Sequence, residues 1–361
     1  MLDFLAEVKE FLKGQIEEFD VVVMPDFFLD RFISLKWNVK TFSENLLGVI
    51  QRKGGCIDGI GQVNFRGGNA INTASALAAL GVKVTPIVCT DKLGLQLLKF
   101  YLKSEKVDFS HVKVFDKASI TTAMEFKIKG GKANVMLRDV GALASFGPHN
   151  LSMEDFYAME NADYVCVFNW TGTRRFGTEL AKKVFHYVKA KGKGKTYYDS
   201  ADPTPNKCKI PQLIREVLQS GNVDILSVNE NEAFCYASYL TNKVKALAKR
   251  LSFEELAKES ARILAAHLSA RVDLHTTSFS ATFTKKGEVI VPAFKVPVRR
   301  VTGAGDAWNA GNILGDAYGL SDGCRLALAN AVAAYYISNP EKMHPTRKQL
   351  MRFCDKLIMK A

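Results

Sequence analysis

The chain of 361 residues lacks several features that would each have fixed a class. No apolar run reaches the about 18 residues that a bilayer span requires, and the opening stretch MLDFLAEVKEFLKGQ carries acidic residues through its apolar positions, unlike a secretory leader. A soluble, unprocessed, cytoplasmic protein with no membrane partner is expected. Cys56, Cys89, Cys166, Cys208, Cys235, Cys324 and Cys354 stand singly, without a CxxC pair or paired histidines, which argues against a zinc site and a disulfide framework. Reduced thiols, mostly in apolar surroundings, are expected instead. No GxGxxG follows the first apolar strand, where MPDFFLD (24–30) stands, and there is no Walker P-loop, so nicotinamide-dependent oxidoreductases and P-loop enzymes are poor readings. Internal repeats and low-complexity linkers are also missing.

What is present is an ordinary globular composition, 47% hydrophobic and 24% charged, which excludes disordered, collagenous and coiled-coil classes. The net charge of +12 is the unusual number and points to anionic ligands. Its densest cluster, Lys189, Lys191, Lys193 and Lys195, reads as the end of a helix and a turn, where cations meet the negative end of the macrodipole. No recognisable nucleic-acid module accompanies it, so nucleic acid is not an expected partner.

Residues 2–19 carry apolar side chains at helical spacing and predict an N-terminal amphipathic helix, treated as an element separate from a domain over 20–361. VVVM (21–24) reads as a strand buried on both faces. Strand-like segments at 82–90, 162–169, 195–199, 224–228 and 270–277 then alternate with helical patterns at 69–80, 92–104, 152–160, 174–190, 211–220, 230–238 and 252–268. That rhythm implies an α/β fold with a doubly wound, mostly parallel sheet. Two excursions break it. RFISLKWNVK (31–40) with CIDGIGQVNF (56–65), and SITTAMEFKIKGGKANVMLR (119–138), alternate with period two and predict half-exposed strands. The second reads as a hairpin around Lys129-Gly130-Gly131-Lys132, and together they predict a small β lid formed by about 31–66 and 119–138.

The most informative stretch is VTGAGDAWNAGNILGDA (301–317). Gly303, Ala304 and Gly305 open a helix whose free N–H groups suit an anion, and Asp306 in its first turn is a plausible acceptor for a proton from an attacking hydroxyl. In FRGGNAINTASALAALG (65–81), the Gly67-Gly68 turn allows close backbone approach and Asn72 follows one turn later, a pattern suited to polyol hydroxyls. Asp26 and Asp30 fall after the first buried strand, at the edge where open α/β sheets bind ligands. Asn229 and Glu232 end another strand three residues apart and can face the same crevice, holding Mg²⁺ through water.

GGNAIN (67–72), CTDKLG (89–94), SVNENEA (227–233) and TGAGDAWNAG (302–311) occur in the order and spacing of the ribokinase-like PfkB family of carbohydrate and nucleoside kinases, which this chain resembles over roughly 20–350. The resemblance implies a ribokinase-like α/β kinase with a β lid, transferring the terminal phosphoryl group of ATP or ADP to a hydroxyl of a sugar, sugar phosphate or nucleoside. It implies Asp306 as catalytic base and the amides around Gly303, Ala304 and Gly305 as the anion hole. Asp30, Gly67, Gly68 and Asn72 would bind substrate; Asn229 and Glu232 would organise Mg²⁺ and the nucleotide phosphates; Asn330 would lie beside the adenine. A homodimer paired through the lid is a further implication.

The departures matter as well. Arg300 stands where the family commonly has an acidic residue associated with a monovalent-cation site, so activity without potassium is expected. HTTSFSAT (275–282) replaces the glycine-rich loop on the nucleotide side, with Thr277 and Ser280 at the expected glycine positions. These changes support the alternative of a non-catalytic sugar- or nucleotide-binding sensor with the same fold; the intact run to Asp306 opposes it. Arg66, Arg138 and Arg174 are candidate phosphate ligands if two of them converge on the crevice, with Arg175 beside the last. Phe27, Phe28 and Trp37 read as packing under the lid. The excess positive charge is expected to form a basic field that draws a polyphosphate into the site.

Overall fold

The computed structural model describes residues 2–15, 17–128, 131–341 and 343–358. The strands are β1 (Asp20–Met24), β2 (Phe28–Ser34), β3 (Gly61–Gly67), β4 (Lys83–Pro86), β5 (Cys89–Thr90), β6 (Lys113–Val114), β7 (Ser119–Ile128) and β8 (Gly131–Asp139). They continue with β9 (Tyr164–Phe168), β10 (Lys195–Asp199), β11 (Ile225–Val228), β12 (Arg271–His275), β13 (Phe279–Thr284) and β14 (Gly287–Pro292). An eight-stranded sheet runs in the order β14-β13-β12-β11-β10-β9-β1-β4, parallel from β12 to β4 and antiparallel at the β12–β13–β14 edge.

Short apolar strands of this kind have two dry faces. Val22, Met24, Val165, Val167, Leu226 and Val272 face one core with helices Gly177–Lys191, Glu230–Leu240 and Phe253–His267, whereas Val21, Val23, Cys166, Phe168, Tyr197 and Ile225 face the other. The second core is closed by helices Asn69–Ala79, Ala304–Ala317, Asp322–Ser338 and Arg347–Ile358, and by the N-terminal helix Leu2–Lys13 through Leu5, Val8 and Leu12. The doubly wound sheet follows from that alternation. Among the described residues no helix is long and apolar enough to cross a membrane.

A four-stranded sheet, β3-β2-β7-β8, stands apart. Its strands match the two period-two segments, with changed limits. The expected strand at 31–40 is β2, which starts at Phe28 and ends at Ser34. Asn38 then caps a helix, Val39–Gln51, by accepting from the Thr41 N–H at 2.9 Å. The partner strand expected at 56–65 is β3, Gly61–Gly67. The hairpin turn called at Lys129-Gly130-Gly131-Lys132 falls on positions 129 and 130, outside the described residues; its strands pair from Ile120↔Asp139 to Ile128↔Gly131.

Other limits shift for local reasons. The segment 82–90 divides into β4 and β5, the latter pairing with β6. Helix 174–190 starts at Gly177, after a turn at 170–176, and 211–220 contains a π-helical segment, Ile214–Leu218. The predicted loop HTTSFSAT shrinks to residues 276–278, because Phe279 begins β13. All seven cysteines are free, and Cys89, Cys166, Cys324 and Cys354 are buried. The lysine cluster does end a helix, Gly177–Lys191, and Lys189, Lys193 and Lys195 pair with Asp224, Asp163 and Asp316.

Beneath the sheet, Asp273 is fully buried and accepts from Asn312 Nδ2 at 2.9 Å, Thr282 Oγ1 at 2.6 Å and Arg325 Nη1 at 3.1 Å. Arg325 is equally buried, and the charges form a network: Asp273 also pairs with Arg271 at 2.9 Å and Arg325 with Asp322 at 2.7 Å. Burial pushes the Asp273 carboxyl up, but Arg271 and Arg325 more than reverse it and hold it below the usual range. Asp273→Ala leaves the buried Arg325 with only the half-exposed Asp322 as counterion and is expected to lower the unfolding free energy by about 3 kcal/mol in urea denaturation, with Asp273→Leu plus Arg325→Met recovering most of the loss.

Candidate active site

The C-terminal ends of the parallel strands meet where the chain order reverses about β1, the usual ligand crevice of such sheets. Asp26 follows β1, Asn169 follows β9, Asp199 ends β10, Asn229 follows β11 and Thr276 follows β12.

Asp26 is fully buried and caps helix Asn69–Ala79: its oxygens accept from the N–H groups of Asn69 and Ala70 at 2.9 Å and from Asn169 Nδ2 at 2.7 Å. Gly68, at φ +93°, precedes that helix, and a Cβ there would lie 2.8 Å from the Asp26 carbonyl oxygen. Only glycine suits both the backbone and the space. A Cβ on Gly67 would overlap the Asp30 carboxylate, so Asp30 on β2 looks across the face of Gly67. Burial raises Asp30 to about 6, opposed by the Thr121 hydroxyl and by Arg138.

Asp306 lies in the first turn of helix Ala304–Ala317 and is 5% exposed. Asn69 Nδ2 and Asn72 Nδ2 donate to its two oxygens, each at 2.9 Å. Burial, with Asp199 and Asp26 nearby, raises its pKa well above the carboxylate range, and the two amides only partly oppose this. The helix is fixed from below by Asn309, which accepts from Tyr197 Oη and Ser227 Oγ and donates to Asp199, all at 2.7 Å. At its mouth Gly303 has φ +85°. The Ala304 N–H is committed to Val301 O at 3.1 Å, so of the three expected anion-hole positions only Gly303 and Gly305 keep N–H groups without a partner among the described residues.

Two cavities meet at this mouth. A polar one of about 420 Å³ is lined by Asn229, Gly303, Gly305 and five carboxylates, Asp199, Asp202, Glu230, Glu232 and Asp306, with neither lysine nor arginine. The expected basic field is therefore absent from the cavity wall. The other, about 440 Å³, is apolar, with Phe294, Val296, Trp308, Ala333 and Ile337 on its walls. His275, Thr276, Thr277, Val301, Ala304 and Gly305 belong to both.

Asn229 and Glu232 form a capping box. The Asn229 N–H and Nδ2 donate to Glu232 at 2.9 and 2.8 Å, and Asn229 Oδ1 accepts from the N–H groups of Asn231 and Glu232. Burial and the neighbouring Asp199 push the Glu232 carboxyl up. Among the described residues no three histidine, cysteine or acidic side chains could hold a metal ion on their own. The donor set still suits Mg²⁺, which keeps water and phosphate oxygens as ligands and needs one or two carboxylates. A polyphosphate entering a cavity with five carboxylates also requires cationic company.

Thr277 sits at the junction of the two cavities, while Ser280 lies on β13 with its Oγ donating to Asn330 Oδ1 at 2.9 Å. Neither has positive φ, so replacing glycine there causes no strain. Asn330 also accepts from Trp308 Nε1 and donates to the Pro292 carbonyl, which fixes it in the apolar cavity's wall.

The arginines do not converge in the proposed way. The register puts Arg138 opposite Thr121, in the row of Asp30, and its guanidinium lies 4.9 Å from the Phe28 ring centre. Arg66 pairs with Leu29 in the adjacent row, on the other face of the sheet. Arg174 lies on the turn before helix Gly177–Lys191, where its carbonyl accepts from Lys209. Phe27 and Phe28 are buried, as packing residues should be.

Residue patterns alone missed Asn69, Asn169, Asp199 and His275. Asp199 and His275 were findable, since both end strands at the ligand edge; Asn69 and Asn169 depend on partners 237 and 143 residues away.

The pfkB family carbohydrate kinase model matches residues 58–349. A search of curated protein sequences finds no match. Solved structures with the same fold include Arabidopsis thaliana ribokinase complexed with ribose and ATP, 19% identical at a TM-score of 0.70, and adenosine kinase from Sinorhizobium meliloti, 18% identical at 0.70; each match covers 94% of this chain and 99% of that one. Ribokinase from Thermotoga maritima is 17% identical at 0.67, covering 94% and 100%. With the family model matched over most of its length and the ribokinase-like architecture throughout, the chain belongs to the pfkB family of carbohydrate kinases.

Proposed function

We propose that this protein is a small-molecule kinase that transfers the terminal phosphoryl group of ATP or ADP to a hydroxyl of a sugar, sugar phosphate or nucleoside, with Asp306 as the base. The observation that carries the reading is the state of Asp306: a buried carboxylate with raised proton affinity, at a helix head whose unpartnered N–H groups border the polar cavity.

The acceptor would lie between Asp30, Gly67, Gly68 and Asn72 on one side and Asp306 on the other. Its hydroxyl oxygen bonds to the terminal phosphorus as the bond from that phosphorus to the nucleotide's bridging oxygen breaks. The hydroxyl proton passes to Asp306, whose oxygens each keep a lone pair beyond those used by Asn69 and Asn72. The nucleotide leaves with the electron pair. The N–H groups of Gly303 and Gly305 would hold the transferring group, and a helix N-terminus favours that charge. Asn229 and Glu232 would orient Mg²⁺ through water; the ion supplies charge neutralisation for the phosphates. The adjoining apolar cavity suits the nucleobase, with Asn330 in its wall and Thr277 at the junction. The four-stranded sheet would close over the acceptor and exclude water. Ile120, Val135 and Leu137, exposed on the face away from Asp30, support pairing of two copies through this sheet.

The first test is release of ADP or AMP over a panel of sugars, sugar phosphates and nucleosides, with Asp306→Asn alongside. Turnover is expected for one acceptor class and a fall of about 10³-fold in the variant, with substrate binding kept. Binding without turnover in the wild type turns the assignment to the sensor, and full activity of Asp306→Asn removes the base.

Asp30 gives a pH signature. Its value of about 6 means that the ionised, hydrogen-bond-accepting form is lost below that pH, so the acceptor KM is expected to rise about tenfold at one unit below, with Asp30→Asn removing the dependence. The same group stabilises the fold at low pH, and that contribution is lost as pH rises through about 6.

Arg300 supplies a permanent charge at the position of the family's cation-associated acid, so replacing potassium by tetramethylammonium is expected to change kcat less than about twofold. A larger drop in initial rate rejects this role for Arg300.

A further inference from the structure

The least balanced group of side chains lies behind the Gly303 turn. A Cβ on Gly303 would sit 2.6 Å from Tyr336 Oη, so the phenol packs directly on the turn that leads to Asp306. The Arg300 guanidinium carbon lies 3.7 Å from the centre of the Tyr336 ring, and the His344 ring stacks on Tyr336 at 4.4 Å and 16°. Arg66, immediately before Gly67, reaches the same place: its Nη2 is 2.9 Å from His344 Nδ1.

An arginine nitrogen only donates, so His344 Nδ1 accepts, and the ring proton must be on Nε2. Ser75 Oγ is 3.1 Å from the same Nδ1. Burial and the two guanidiniums hold His344 neutral, consistent with that tautomer. His344 is 5% exposed and its Nε2–H has no acceptor. Arg66 Nε, Arg300 Nε and Arg300 Nη2 are likewise buried without one. Neither arginine makes an ion pair among the described residues.

Four buried donors on three side chains, two of them permanently charged, thus lie about Tyr336, and among the described residues no carboxylate is in ion-pair contact with them; Asp306 acts on Arg66 only from a longer range. Such a group is costly unless something with several lone pairs and negative charge completes it. A cation–π contact with Tyr336 offsets only part of that charge. Planar guanidinium forks match a tetrahedral oxyanion better than a monatomic ion.

We infer that Arg66, Arg300 and His344 form a binding site for a phosphate-type oxyanion, set against the turn that carries Asp306. The oxyanion has two sources, a phosphate ester on the acceptor or free inorganic phosphate. The ester source rests on the kinase reading; the site itself does not.

Calorimetric titration of the full chain with inorganic phosphate, a pentose and the pentose 5-phosphate tests this. Phosphate or the ester is expected to bind the wild type, and Arg66→Met and Arg300→Met are each expected to weaken that binding at least about tenfold while circular dichroism stays native. Ester affinity at least about tenfold above that of phosphate assigns the oxyanion to the acceptor, and equal affinity assigns it to a free anion. No binding of either at millimolar concentration, or unchanged affinity in both variants, overturns the site. If a methionine variant does not fold, Arg66→Lys and Arg300→Lys keep the charge but lose the fork, and are read in the same way. Asp306→Asn is expected to keep phosphate binding, so the fate of this site and that of the proposed base are scored separately.

Discussion

Two buried carboxylates that make no ion pair among the described residues, Asp26 and Asp306, dictate much of the crevice. A buried carboxylate must be given hydrogen bonds or it takes a proton. Asp26 receives two N–H groups from the start of helix Asn69–Ala79, and Asp306 receives the amides of Asn69 and Asn72 from that helix's first turn. One helix end therefore serves both acids. Asn69 is the shared residue, giving its backbone to one and its side chain to the other. Displacing that helix would strip both carboxylates at once, which explains why the chain approaches it through Gly67 and Gly68, with no side chain to hold it off.

The overall charge of +12 and the five carboxylates around the polar cavity are opposite in sign. They act at different ranges. Net charge favours the approach of an anion over distances near the Debye length, whereas the cavity wall sets which ionic form is accepted at contact. For the proposed nucleotide, a wall of carboxylates would favour a polyphosphate already carrying divalent cations over a bare one. The basic residues nearest the turn, Arg66 and Arg300, stand behind it, where they add positive potential at the helix head and leave the acidic wall facing the cavity.

The sheet was legible because its strands are short, apolar and β-branched, as in VVVM and YVCVF, and ligand residues were sought at the C-terminal ends of such strands. Asp30 and Asn229 come from that rule, whereas Asn72 and Asp306 were named from the glycine runs that open their helices. Helix Val39–Gln51 could not. It has no buried residue, so no core stripe marks it, and the preceding RFISLK reads as a strand that simply continues. β13 and β14 were hidden for a different reason: β13 mixes serine and threonine with phenylalanine and alanine inside a stretch read as a loop, and β14 is exposed at most positions, so their pairing marks them as strands. The Arg66–His344 contact spans 278 residues, and no local spacing encodes it. Local chemistry gives the ligand edge of the sheet; contacts between distant segments decide which polar side chains are left unbalanced there.

The two halves of the crevice are also connected covalently in a short path. β2 carries Asp30, and its neighbour β3 runs through Arg66 and the glycine pair straight into the helix bearing Asn69 and Asn72. Gly68, at φ +93°, is the left-handed joint on that path, while residues 25–27 join β2 to β1. Any movement of the four-stranded sheet toward the body must be absorbed at that joint or passed to the amides that hold Asp306. Asp26 clamps the helix start through two backbone bonds, which favours absorption at the joint. In the proposed reaction Asp30 would thereby be free to follow an acceptor while Asp306 keeps its position, a division of labour that a lid carrying its own base would not provide.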